Sequence, residues 1–230
     1  MIYAILGILF VLLIYLPQIW VQYIMRHYAR EIKTMPGTGG ELAKHLIDVY
    51  QLKDVIVEEA QPGQDHFDPQ AKAVRLSPSN FHGRSLTAVA VAAHEVGHAI
   101  QFHRQEPVSQ LRGKYMPTAI IIKKLGIGAL MFMPVITGII HVPQVAILLT
   151  LAGVLAMIVS ALVYLIILPE ELDASFNKAL PMLIKGEYIE AQQENAIRKV
   201  LQAAALTYFA AALADVFRLW RWIGYLRMMR

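Results

Sequence analysis

Apolar residues along this chain collect in long runs, and the polar residues gather between them. From about Met1 to Ile24 almost every position is apolar, with Tyr15, Trp20 and Tyr23 toward the far end, where an interfacial aromatic belt would lie. A second run covers about Pro117–Ile140. Lys123 and Lys124 lie inside it, so its apolar core starts near Leu125, and Pro134 with Gly138 predicts a kink. The third, Val145–Leu168, carries no charge and is long enough to span a hydrocarbon core of roughly 30 Å. A fourth, Val200–Tyr225, is interrupted by Asp215, Arg218 and Arg221; it either spans, tilts along the interface or packs beside the others.

The polar middle, about Arg26–Lys114, has the shorter periods of a water-soluble unit. Gly37, Gly39 and Gly40 predict a loop, followed by an amphipathic helix over Glu41–Tyr50 with Leu42, His45, Leu46 and Val49 on one face. Asp54–Glu59 and Ala71–Leu76 read as short strands. The run between them, from Gln61 through Pro62, Gly63 and His66 to Pro69, has turn chemistry. Ser85–Phe102 is a helix apolar on most sides, which predicts burial. A second polar piece, Pro169–Lys199, brings Glu170, Glu171 and Asp173 directly behind the third run, as the start of a helix after Pro169.

Composition strengthens the membrane reading. Hydrophobic residues make up 57% and charged residues 17%, against roughly 45–50% and about 25% in soluble domains. The mean hydropathy is +0.47. A net charge of +4 could point to nucleic acid, but the basic residues sit beside apolar runs, as juxtamembrane clusters do. The absence of cysteine excludes disulfides, thiolate metal sites and cysteine nucleophiles. The first run has no basic residue before it and no small-residue cleavage site after it, which predicts a retained anchor rather than a signal peptide.

The chemistry concentrates in His94-Glu95-Val96-Gly97-His98. On a helix, positions i and i+4 share a face, so two imidazoles at that spacing can bind one zinc ion, with Glu95 beside them. Zinc lowers the pKa of a water toward about 7, and a carboxylate can take that proton and pass it to the leaving amine. Gly97 costs the helix roughly 1 kcal/mol relative to alanine, which makes sense if another backbone or a substrate comes close. A hydrolytic zinc site takes a third protein ligand. With no cysteine it is a histidine or a carboxylate; His103 is out of phase with the motif, and the group Glu170-Glu171-Leu172-Asp173 is the better candidate. His66 and Asp68 are expected to stabilise their turn, Arg84 to form a salt bridge or hold substrate, and Asp215 to pair with Arg218 or to serve function.

The chain resembles the YugP-type membrane zinc metallopeptidases, related to the zincins of the HtpX and CAAX-processing type. The likeness is strongest from Asp65-His66-Phe67-Asp68-Pro69 through Leu76-Ser77 and Gly83-Arg84-Ser85 to Ala92–Gln101, and again over Leu168–Ser175. The related zincins carry their third ligand in a Glu-x-x-Ala-Asp pattern on a later helix. Laid on this chain, that pattern begins at Glu171 and ends with Ser175 in place of the aspartate, so Asp173 is a candidate to take over its orienting role.

The resulting expectation is a mainly α membrane protein, with a zincin-like catalytic unit and a small β-sheet carried by three or four transmembrane helices. Its parts are an anchor helix (1–25), the catalytic segment (26–116), a transmembrane hairpin (117–168), the third-ligand helix with the one after it (169–199), and a C-terminal apolar helix (200–230). It would hold one Zn2+ per chain on His94, His98 and Glu171 and hydrolyse peptide bonds with Glu95 as general base. An edge strand, Lys72–Leu76, would hold the substrate extended. The expected partners are the lipid bilayer and a peptide or membrane-protein substrate, without nucleic acid; the oligomeric state stays open. Arg26, Arg30, Lys33, Arg112, Lys114, Lys178 and Lys185 place the active site on the cytoplasmic face of the cell membrane, against which Arg218, Arg221, Arg227 and Arg230 count if the last helix spans. Two rivals make different predictions. A zinc-binding scaffold or chaperone-like protein would bind zinc without turnover, and a metal transporter would need more ionisable residues inside the spans.

Overall fold

The computed structural model describes residues 2–140 and 142–210. His141, Asp215 and the other charges of the fourth apolar run, Arg218 and Arg221 among them, lie outside the described residues. Chain contacts divide the protein into two units, one of residues 1–18, 111–167 and 208–230, the other of residues 19–110 and 168–207.

Helix α1 (Ile2–His27) covers the first apolar run and passes through Pro17. Thr38 caps α2 (Gly39–Val49): its hydroxyl accepts the Glu41 N–H at 3.2 Å, and the Glu41 carboxylate accepts the Thr38 N–H at 2.7 Å. The reciprocal cap draws Gly39 and Gly40 into the first turn, where a loop was expected.

Three strands follow: β1 (Ile56–Glu59), β2 (His66–Asp68) and β3 (Ala73–Leu76). Their order is β1-β3-β2, with β1 parallel and β2 antiparallel to β3. The strand expected at the substrate-binding edge is therefore the central one, with both its ladders occupied. The turn chemistry before it is real but shorter than expected. Asp68 Oδ1 accepts the N–H groups of Gln70 and Ala71 and closes a hairpin, which frees His66–Asp68 to pair as β2.

After a short helix α3 (Pro78–Phe81), Ser85 caps α4 (Leu86–His103), its hydroxyl accepting the Ala88 N–H at 3.1 Å. Residues Leu86–Gln101 of α4 are all buried, as its apolar composition predicts. It is the centre of its unit, packed by α2, α3, β2, β3 and the helical turns of residues 173–185.

Helices α5 (Ser109–Ile140) and α6 (Pro143–Leu172) fill the second and third apolar runs and pass through Pro117, Pro134 and Pro169. The acidic group after Pro169 thus does not start a helix. It continues one, because the upstream turns already set the geometry that Pro169 adopts. A π-helical turn, Asp173–Ala179, comes next, then α7 (Leu180–Lys185) and a helix over residues 194–210 (α8). In the first unit Leu130 packs on Met157 and Val154, and a Cβ on Gly126 would stand 2.6 Å from that of Ala156, so α5 and α6 lie close there. Two helical stretches, Ser109–Ile136 and Gln144–Lys185, are long and apolar enough to cross a membrane. Leu125, Met131, Leu148, Leu151 and Leu155 on them are exposed, which in water would be costly.

Candidate metal centre

The buried helix α4 brings His94 and His98 together one turn apart, with ring centroids 4.7 Å apart. Their Nε2 atoms are 3.2 Å from each other, and each is 3.3 Å from Oε2 of Glu171. The triangle gives a direct test of fit. Bonds of about 2.0–2.2 Å from a tetrahedral zinc put any two ligand atoms roughly 3.3–3.6 Å apart. The three donor atoms stand at the short end of that spacing, so a zinc-sized ion fits with little rearrangement. Among the described residues, this is the group of histidine and acidic side chains able to hold a metal ion.

Glu170 is buried too, with its Oε1 3.9 Å from the other nitrogen of His98. Adjacent helical residues project about 100° apart, which is why only one of the two reaches the inner nitrogens. Glu171 lies beyond the charge-free part of α6. Its Oε2 faces the inner nitrogens of both rings.

Gly97 sits inside this triangle of elements for a steric reason. A Cβ there would stand 2.7 Å from the carbonyl oxygen of Ala174 in the π-helical turn. The π turn widens the helix by one residue, Leu180 N–H bonding to Ser175 C=O, and so presents the Ala174 backbone to α4.

The outer nitrogens are also engaged. His94 Nδ1 is 2.9 Å from Ser175 Oγ, and that hydroxyl donates to the Leu201 carbonyl of α8 at 3.1 Å. His98 Nδ1 is 3.0 Å from Gln101 Oε1. The Gln101 amide nitrogen donates to Asp173 Oδ2 at 2.8 Å and to the Glu170 carbonyl at 3.1 Å. Asp173 accepts further bonds from Lys178 at 3.0 Å and Asn177 at 2.7 Å, and Lys178 pairs with Glu106 at 2.9 Å. The expected direct contact of Asp173 with a histidine is not made: Gln101 stands between them, and Ser175 itself takes the place expected of an aspartate. Neither partner was picked out from the sequence, although Gln101 follows His98 by one helical turn and Ser175 stands at the pattern's own last position.

Glu95 is buried beside the triangle, and one of its oxygens accepts the Phe67 N–H of β2 at 2.8 Å. Phe67 also packs on Phe102 of α4, with ring centroids 5.6 Å apart. The strand missed in the sequence is thus the one that holds Glu95. His66 bonds the Gln64 carbonyl, Asp68 pairs with Arg75, Arg84 is exposed and gives its carbonyl to the Ile32 N–H, and His103 lies exposed at the end of α4.

Two histidines from one buried helix and a glutamate from a second, in a mostly helical chain with two helices able to cross a membrane, define a candidate metal protein of the membrane. The chain belongs to the family described as "Putative neutral zinc metallopeptidase", which it matches over residues 3–227. It is also 34% identical over 210 residues, 89% of either chain, to a protein of Bacillus subtilis (strain 168) named "Putative membrane protease YugP". No solved structure matches it.

Proposed function

We propose that this chain is a membrane-embedded, zinc-dependent metalloendopeptidase, with His94, His98 and Glu171 as zinc ligands and Glu95 as general base on a zincin-like unit. The observation that carries the reading is the spacing of the three inner donor atoms, 3.2 and 3.3 Å, beside a buried carboxylate. Zinc, when bound, supplies a Lewis acid that polarises a peptide carbonyl and acidifies water.

The chain's own residues supply the proton handling. Phe67 N–H occupies one oxygen of Glu95 and sets the orientation of the carboxylate, so the other oxygen accepts a proton from the attacking water. The water oxygen bonds to the carbonyl carbon, the carbon–nitrogen bond breaks, and Glu95 returns the proton to the leaving amine. Three helices, α1, α5 and α6, would anchor this unit in the cell membrane with the site on the cytoplasmic side.

The test separates binding from turnover. Glu95→Gln keeps shape and removes the proton acceptor, so zinc content should stay near one per chain while peptide cleavage falls at least ~100-fold. Wild-type rates in Glu95→Gln would sink the general-base assignment. Bound zinc with no cleavage of any peptide by the wild type would favour a non-catalytic zinc protein.

A further inference from the structure

A histidine binds zinc through one nitrogen only if the other carries its proton, so the outer partner of each ring decides which tautomer is available. Here both outer partners are neutral side chains able to donate or accept, and the surrounding groups decide which they do. We propose that Gln101 and Ser175 are positioning residues for zinc, and that Asp173 enforces the role of Gln101. This rests on the assignment of His94, His98 and Glu171 as ligands.

The amide of Gln101 has two possible orientations. In the one present, both hydrogens of its nitrogen meet acceptors that cannot donate, Asp173 Oδ2 at 2.8 Å and the Glu170 carbonyl at 3.1 Å. Flipping it would lose both bonds and press Oε1 against two oxygens. The amide oxygen is therefore locked toward His98 Nδ1 at 3.0 Å, where it can only accept. His98 must carry its proton on Nδ1, and its Nε2 lone pair faces Glu171 and His94. Glu170 Oε1, at 3.9 Å from the same Nδ1, is too far to replace Gln101.

Ser175 does the same for His94. Its single hydrogen goes to the Leu201 carbonyl at 3.1 Å, so its oxygen accepts from His94 Nδ1 at 2.9 Å. Asp173 acts at one remove, and the π spacing lets Lys178, five residues on, reach back and hold it. The network orients both rings through neutral side chains at hydrogen-bond distance from their outer nitrogens.

The experiment measures zinc affinity of the full chain in detergent by competition with a graded chelator, together with the visible spectrum of the Co(II)-substituted protein. Gln101→Leu, Asp173→Leu and Ser175→Ala should each weaken zinc about ten- to hundredfold and shift the cobalt bands. Asp173→Asn and Ser175→Thr keep the required oxygen and should stay within about threefold of wild type. Helix content by circular dichroism identifies a variant that fails to fold, and Gln101→Leu, which only removes polar atoms from a buried site, then decides. Unchanged affinity and spectrum in Gln101→Leu, or equal losses in Asp173→Asn and Asp173→Leu, would overturn the inference alone. A folded wild type that binds no zinc would overturn the functional reading as well.

Discussion

Glu170 and Glu171 are neighbours, both buried, and chemically identical, yet the chain uses them differently. Only Glu171 points at the inner nitrogens of both histidines. Removing it should leave two imidazoles without their anionic partner, so Glu171→Ala should lose zinc in mild chelator. Glu170→Ala removes a side chain outside the triangle and should keep zinc and activity. Chelator titration of the two variants checks this, and the reverse result would mean the ligand register is off by one residue. The histidine pair and Glu95 stand out in the sequence by their spacing, and the acidic group Glu170-Glu171-Leu172-Asp173 by its charge behind an apolar run, but the choice of Glu171 within that group comes from the family resemblance. Ser175 and Gln101 do not stand out. Neutral polar side chains are common, and their role depends on what faces them across the fold, which no local pattern records.

Among the elements, α4 and the three long apolar helices were readable from periodicity and length alone. β2 was hidden because three residues are too few for alternation to stand out, and the turn residues around it dominate the local signal. The π-helical turn was hidden for another reason: no propensity distinguishes it from an ordinary helix, and its partner in packing, α4, is distant in sequence. Gly97 is the sequence trace of that packing. In an ordinary helix Gly→Ala gains about 1 kcal/mol, but here the new Cβ would stand 2.7 Å from the Ala174 carbonyl oxygen. Gly97→Ala should therefore lower both the melting temperature and the zinc affinity by pushing the π turn and Glu171 away. A variant that melts higher and binds zinc as tightly would show that the approach is not close.

For the whole molecule, apolar runs, charge placement and the lack of cysteine say most about where it works. The last of these also provides a clean probe, because a single introduced cysteine is the only thiol in the chain. Gln61 is exposed in the loop before β2. If the catalytic unit faces the cytoplasm, Gln61→Cys in intact cells should resist a membrane-impermeant maleimide and react once the cells are permeabilised. Labelling of intact cells would place the unit outside.

His98 and Glu171, the proposed zinc ligands, lie 73 residues apart in sequence. An ion held between them ties the two ends of a long loop together in the folded chain, so unfolding must also release it. The metal would thus serve as a fastener as well as a reagent. At a free concentration a hundred times its dissociation constant, a ligand that binds only the folded state adds about 2.7 kcal/mol of stability. Stripping zinc should lower the melting temperature by several degrees, and restoring it should bring the transition back. An unchanged melt would mean the loop is already held shut by packing alone.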